Sequence, residues 1–253
     1  AYRRQRQMCI RDREIVAGLK PDGVLCIPFD EPLLTQADVA QQVVQFGDEV
    51  SAIQGDDTTT QFTYQQTRFA IPLIGSYNIM NALAAVSAGI LLHIDLDDAV
   101  TALQTFDLTK NRTERLATAR GVNLISDVYN SNPTAVAAVL ATLKAIPAPH
   151  KYVVLGDMLE LGEQAATLHA ELAKEILAAN VTGVYLVGQL FTANTAPILA
   201  PHFDSEHLHL YETQQLDTLI ADLKTLGEAG DVILLKASHG IHLENVVNAL
   251  VQS

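Results

Sequence analysis

The sequence is short of cysteine, of basic residues and of long apolar runs, and each shortage removes a class of protein. Cys9 and Cys26 are the only cysteines among 253 residues. They form no Cys-x-x-Cys motif and no disulfide framework, which points to a reducing, cytoplasmic setting. Sixteen Lys+Arg against 29 Asp+Glu leave a net charge of −13. Such a balance argues against DNA, RNA or an anionic membrane as the main partner, because phosphate backbones are held by basic surfaces. A single nucleotide in a local site stays compatible with it. The longest apolar stretch, Ala82 to Ile94, is interrupted by Ser87 and His93 and is too short to span a bilayer. No signal-peptide pattern opens the chain, and no internal repeat or low-complexity segment is present. A soluble, cytosolic protein is expected.

What the chain does have is length and apolar content. With 49% hydrophobic residues over 253 positions, it can build two domains with separate cores. The first thirteen residues, AYRRQRQMCIRDR, carry five of the sixteen Lys+Arg. They differ from everything after them and read as an artefactual or disordered leader (1–13), with further protein expected upstream.

Five short apolar segments follow, GVLCIPF, VVQF, EVSAI, FTYQ and RFAIPL, separated by turn formers, and they predict strands. EPLLTQADVA (31–40) predicts a helix between the first two. Asn78 to Leu92 and LDDAVTALQTF (96–106) predict helices, the second with acids in its first turn. DLTKNRTE (107–114) reads as a linker. Beyond it, strands at RLATA, VNLISD, KYVVLGD, GVYLVG, LHLYE and DVILLKAS alternate with helices, including one helix or loop over 192–199. That alternation predicts an α/β fold: a Rossmann-like, mostly parallel sheet with helices on both faces over 108–253, preceded by a partial α/β domain over 14–107. Ligands of such sheets sit outside the carboxyl ends of the strands.

Three polar clusters, Asp127–Asn132, Gly156–Gly162 and Lys236–Gly240, fall just after strands and would gather on that edge. In SDVYNSNPTAVAA (126–138), Asn132 fits an N-cap and Pro133 the first helical position. Asp127, Tyr129 and Asn130 exceed what capping requires. An aspartate there can accept ribose hydroxyls or Mg2+-bound water, and an asparagine can read an adenine edge or a peptide amide. Asn78 and Asn81, three apart, share one helix face; one can cap, while two suggest a bound polar group. Arg112 and Arg115 in KNRTERL suit bidentate phosphate contact, with an ion pair to Glu114 as the plainer use. In GDMLELGEQAATLH (156–169), Asp157, Glu160 and Glu163 precede a helix, where acids are favourable without any ligand. His169 reads as a packing residue rather than a catalyst.

Taken in order, GSYNIMNALAA, KNRTERL, SDVYNSNPTAV, VVLGDMLELGEQAATLH and VILLKAS resemble the Mur ligase family. Tyr-Asn-x-Asn-Pro followed by Leu-Gly-Asp-Met-x-Glu-Leu-Gly is similar to the branch that adds D-alanyl-D-alanine to UDP-N-acetylmuramoyl-tripeptide. The resemblance runs from about residue 14 to 253. It implies an ATP- and Mg2+-dependent ligase that activates the tripeptide carboxylate as an acyl phosphate, which the dipeptide amine attacks; positive groups and metal offset the charge that develops. By position it implies adenine contacts at Asn78 and Asn81, and catalytic roles for Arg112 and Asp127 beside the nucleotide phosphates and ribose. It places Asn130 at both nucleotide and substrate, and Asn132, Asp157, Glu160 and Lys236 toward substrate, with no metal ligand among these residues. The implied partners are UDP-N-acetylmuramoyl-tripeptide and D-Ala-D-Ala, acted on by a cytoplasmic monomer that takes no nucleic acid and does not insert in a membrane.

The departures from the family pattern are specific. Tyr77 stands where the family often has His, and Ala237 and His239 alter its Lys-Gly-Ser element. No Gly-x-x-Gly-Lys-Thr phosphate loop occurs in the 253 residues, the UDP-sugar domain is not represented, and the carbamylated lysine of the family is expected just before Glu14. The expectation is therefore the end of the central ATPase domain plus the carboxy-terminal domain, a fragment inactive by itself. Two alternatives are a non-catalytic nucleotide- or peptide-binding module and another amide ligase, a different Mur step or a folylpolyglutamate type. The Tyr-Asn-x-Asn-Pro stretch speaks against the latter.

Overall fold

The computed structural model describes residues 16–31, 39–56, 58–106 and 110–252. The leader, Glu14, most of the helix expected at 31–40 and part of the expected linker lie outside the described residues. The chain divides into two units, 1–107 and 108–253.

In the first unit, β1 (Val24–Pro28) pairs in parallel with β2 (Gln42–Phe46). β3 (Ser51–Gly55), β4 (Thr60–Tyr64) and β5 (Thr67–Ile71) form an antiparallel sheet. Gln65 and Gln66 both take left-handed backbone, φ 47° and 62°, as a two-residue hairpin matched to strand twist requires. Thr60, Phe62 and Tyr64 alternate inward along β4, and Phe62 stacks on its register partner Phe69 at 5.1 Å. α1 (Tyr77–Leu91) and α2 (Leu96–Thr105) follow the sheet. Ile79, Leu83 and Val86 lie on one helical face and share a core with Phe46, Phe62 and Phe69.

The second unit is built on a six-stranded sheet. Its strands are β6 (Glu114–Ala117), β7 (Asn123–Asp127), β8 (Lys151–Gly156), β9 (Gly183–Val187), β10 (Leu208–Tyr211) and β11 (Val232–Lys236). They are ordered β10-β9-β8-β11-β7-β6, all parallel except β6 against β7. The helices are α3 (Pro133–Ala145), α4 (Ala165–Ala178), α5 (Gln189–Asn194), α6 (Ala196–Leu199), α7 (Leu216–Thr225) and α8 (Leu243–Val251). The single element expected over 192–199 is thus two short helices.

Every residue of β9 and β11 is buried, the pattern of strands covered on both faces. Leu124, Val154, Tyr185, Ile233 and Leu235 point to one face, where Leu219 and Leu223 of α7 and Val246, Val247 and Leu250 of α8 meet them. The alternate residues Ile125, Val153, Leu155, Val184 and Leu234 are equally buried, on the face left to α3, α4 and α5, which pack in sequence. The last strand in sequence, β11, enters between β7 and β8, with Lys236 in register with both Asp127 and Leu155. The carboxyl ends of three strands therefore meet at one point. Among the described residues no helix is long and apolar enough to cross a membrane.

Candidate functional site

The β7–α3 connection begins where the strand ladder ends. Asp127 is the last residue of β7, and the chain leaves it through buried Val128 to exposed Tyr129 and Asn130. Asn132 then caps α3: its Oδ1 accepts the Ala135 N–H at 2.8 Å, with Pro133 in the first turn. That geometry satisfies one of the helix's orphan donors and accounts for Asn132 without a ligand. Asn130 Oδ1 accepts the N–H of Ser131 at 2.9 Å.

Beneath this turn lies Lys236, only 1% exposed. Its ammonium donates to Asp127 Oδ2 at 2.5 Å and to the Asn130 carbonyl at 2.8 Å. The other carboxylate oxygen, Oδ1, accepts the Thr113 N–H at 3.3 Å. Lys236, expected toward substrate, is here engaged with groups of the protein itself. Burial of an amine without such partners would be costly.

Arg112 stands beside the same turn, its guanidinium carbon 4.3 Å from the centroid of the Tyr129 ring, within cation–π range. Tyr129 N–H donates to the Asn111 carbonyl at 3.2 Å, which fastens the segment before β6 to the segment after β7. Asn111 and Thr113 both take left-handed backbone, φ 62° and 49°. Arg112, Asp127, Asn130 and Lys236 are thus brought together at one sheet edge. Asn111, Thr113 and Tyr129 complete the group; sequence reasoning passed over the first two, and only their place before an edge strand could have flagged them.

The β8–α4 connection has a different interior. Asp157 is 6% exposed, and its two oxygens accept the N–H groups of Leu190 at 3.0 Å and Phe191 at 2.9 Å. It caps α5 from another loop. Gly188 makes the approach feasible: its φ is +108°, and a Cβ there would lie 2.4 Å from the Asp157 carboxyl carbon. Buried His169 accepts the Met158 N–H on Nε2 at 3.0 Å, and its Nδ1 donates to the Ala165 carbonyl at 2.7 Å. Burial holds its pKa below the usual 6.5, against smaller opposing effects of the Ala165 carbonyl and Asp157. It is a neutral packing residue, edge-on to Phe191.

Glu160 is exposed at a left-handed position, φ 60°. The 157–160 loop is fixed to the end of β11 by Ser238, whose hydroxyl accepts the Leu159 N–H at 2.9 Å and whose own N–H donates to the Asp157 carbonyl. Ala237 packs where Gly156 has no side chain; a Cβ at 156 would come within 2.7 Å of the Ala237 methyl.

Asn78 and Asn81 belong to the first unit. Neither caps α1, since Ser76 holds that position without a side-chain bond. Asn78 is buried and donates to the Ile74 carbonyl at 2.9 Å, and its oxygen accepts from Asn81 at 3.4 Å. Asn78 therefore holds exposed Asn81 in place.

Comparison with known proteins adds to this geometry. The model described as "Mur ligase, glutamate ligase domain" matches residues 111–239, and that of the "Mur ligase middle domain" matches residues 7–89. The second match starts within the segment read as leader. A relative from Bacillus subtilis, named UDP-N-acetylmuramoyl-tripeptide--D-alanyl-D-alanine ligase, is 36% identical over 95% of this chain and 54% of its own length. A relative of the same name from Synechocystis is 28% identical over 94% of this chain and 52% of its own. The chain spans about half the length of the curated relatives it matches. Among solved structures, MurF from Acinetobacter baumannii superposes with a TM-score of 0.80 at 25% identity, over 96% of this chain and 55% of that one. MurF ligase from Thermotoga maritima, solved in complex with ADP, gives 0.74 at 23%, over 92% and 54%.

Proposed function

This chain belongs to the Mur ligase family, and on that premise we propose that it contributes to the ATP-dependent ligation of D-alanyl-D-alanine to UDP-N-acetylmuramoyl-tripeptide in peptidoglycan precursor synthesis. The observation that carries the reading is the likeness, along 95% of this chain, to a ligase of that name at 36% identity. The strand-edge cluster supports it. Asp127, 14% exposed at its side chain, holds a fixed carboxylate that can accept ribose hydroxyls. Exposed Arg112 beside it supplies positive charge for phosphoryl oxygens, where charge develops during transfer. Asn130 presents an amide to nucleotide or substrate.

In the first unit, Asn81 offers a carbonyl and an amide to the adenine edge, positioned by Asn78. On the 157–162 loop, exposed Glu160 suits the ammonium of the incoming dipeptide, while Asp157 and Asn132 shape the surfaces on either side. ATP would supply the phosphoryl group that converts the tripeptide carboxylate into a mixed anhydride; the dipeptide amine then forms the amide and phosphate leaves. Among the described residues no group of three or more His, Cys, Asp and Glu is placed to hold a metal ion. No residue is therefore assigned to Mg2+, and no step is derived through it. The reading places the activity in the cytoplasm, consistent with the cysteine-poor composition.

The test is to fuse the chain behind the part of the Bacillus subtilis relative that it does not match. Phosphate release should require both UDP-N-acetylmuramoyl-tripeptide and D-Ala-D-Ala, with a pentapeptide product by mass spectrometry. Release driven by glutamate, or a folate acceptor, would overturn the assignment. The sequence holds no Gly-x-x-Gly-Lys-Thr loop, which favours binding without turnover for the chain alone. Calorimetry with ADP and D-Ala-D-Ala, beside a phosphate assay, separates that behaviour from catalysis.

A further inference from the structure

We propose that Lys236 is a positioning residue: its ammonium ties the end of β11 to the Asp127 carboxylate and to the Asn130 carbonyl, and so fixes how the β7–α3 turn meets a nucleotide. The proposal rests on the reading of that turn as nucleotide-facing. Three observations carry it. Lys236 and Asp127 are register partners on adjacent parallel strands, so the pair closes the ladder at its last rung. The lysine is 1% exposed, and its amine already donates to Asp127 Oδ2 and to the Asn130 carbonyl. The carboxylate is also held from its opposite oxygen by the Thr113 N–H. Segments around residues 113, 127 and 236 thus meet on one carboxylate, which leaves it oriented and partly exposed.

The chemistry explains why this residue is a lysine. A compact ammonium on a flexible stem can satisfy a carboxylate and a carbonyl at once from a buried site, where a planar guanidinium needs more room. Its charge also offsets that of Asp127, so that the phosphates of an arriving nucleotide do not meet an uncompensated anion. A lysine that bound phosphate directly would instead need an exposed head.

The experiment uses the 15N-labelled 253-residue chain with K236M, D127N and the double variant, read by backbone amide resonances and by ADP titration. K236M should move the Thr113, Asn130 and Ser131 resonances before any ADP is added. It should weaken ADP binding about tenfold, the usual scale for loss of a residue that orients a direct contact. D127N should weaken binding comparably, and the double variant should be no weaker than the worse single one, because both changes remove one device. Losses that multiply in the double variant identify Lys236 as an independent ligand contact and overturn the proposal. An ADP-responsive turn that K236M leaves unmoved overturns it as well. A wild-type turn silent to ADP overturns the nucleotide reading instead. The double variant, which buries neither charge, keeps the comparison readable if K236M alone does not fold.

Discussion

Asp127 and Asp157 both follow a strand of the same sheet, yet their surroundings have opposite logic. Asp127 faces a buried cation from another strand and keeps part of its carboxylate open. Asp157 is filled by two backbone N–H groups of a helix start and is 6% exposed. Position at a strand end gives an acid its place; what stands opposite decides whether any acceptor capacity is left over. The first arrangement can serve a ligand, whereas the second is complete within the protein.

Removing one charge of the buried pair should have the largest effect. Asp127→Ala strands the Lys236 ammonium, and urea unfolding should show a loss of about 3–5 kcal/mol, largely recovered when Lys236→Met is added. Asp157→Ala should cost about 2–3 kcal/mol through two lost charge-assisted bonds. No second-site charge removal should restore it; recovery by Lys236→Met would erase the distinction between the two acids. Asn132→Ala removes an ordinary cap and should cost about 1 kcal/mol in the same assay.

His169 sharpens the contrast through pH. Its folded pKa lies below the usual 6.5 because of burial, so in acid the unfolded state binds the proton more readily. Stability should be unaffected by this group above 6.5, fall as pH drops below 6.5, and level off beneath the folded pKa. Thermal midpoints of wild type and His169→Gln, compared across that range, should differ in slope only on the acid side. The smallest effect belongs to exposed Arg112, whose replacement by Ala should change stability by roughly 0.5 kcal/mol while ADP titration weakens.

Much of this was legible before the fold was known, for identifiable reasons. Alternating apolar runs announced β7, β8, β9 and β11 because buried parallel strands are nearly continuous in Val, Ile and Leu. Asn132-Pro133 announced the start of α3 because both act locally. The burial of Lys236 was not legible, because its partners are 109 and 106 residues away and no local pattern distinguishes a buried lysine at a strand end from an exposed one. The capping role of Asp157 was hidden for the same reason: the N–H groups it caps belong to α5, beyond the next strand. Asn78 looked like a cap, but the backbone placed Ser76 there and turned Asn78 back onto Ile74. The Gln65–Gln66 turn carried no glycine or asparagine to reveal it.

The contact between Gly156 and Ala237 has a consequence for how this edge can change over generations. The space beside Gly156 is closed by two neighbours, the Ala237 methyl and Ile241. Gly156→Ala should press on the Ala237 methyl and also on Ile241, whose Cγ2 would lie 2.9 Å from the new Cβ, so adding Ala237→Gly relieves only one of the two contacts. Glycine at 156 is thus demanded from two sides, by the residue that follows the lysine and by the start of the chain's final turn toward α8.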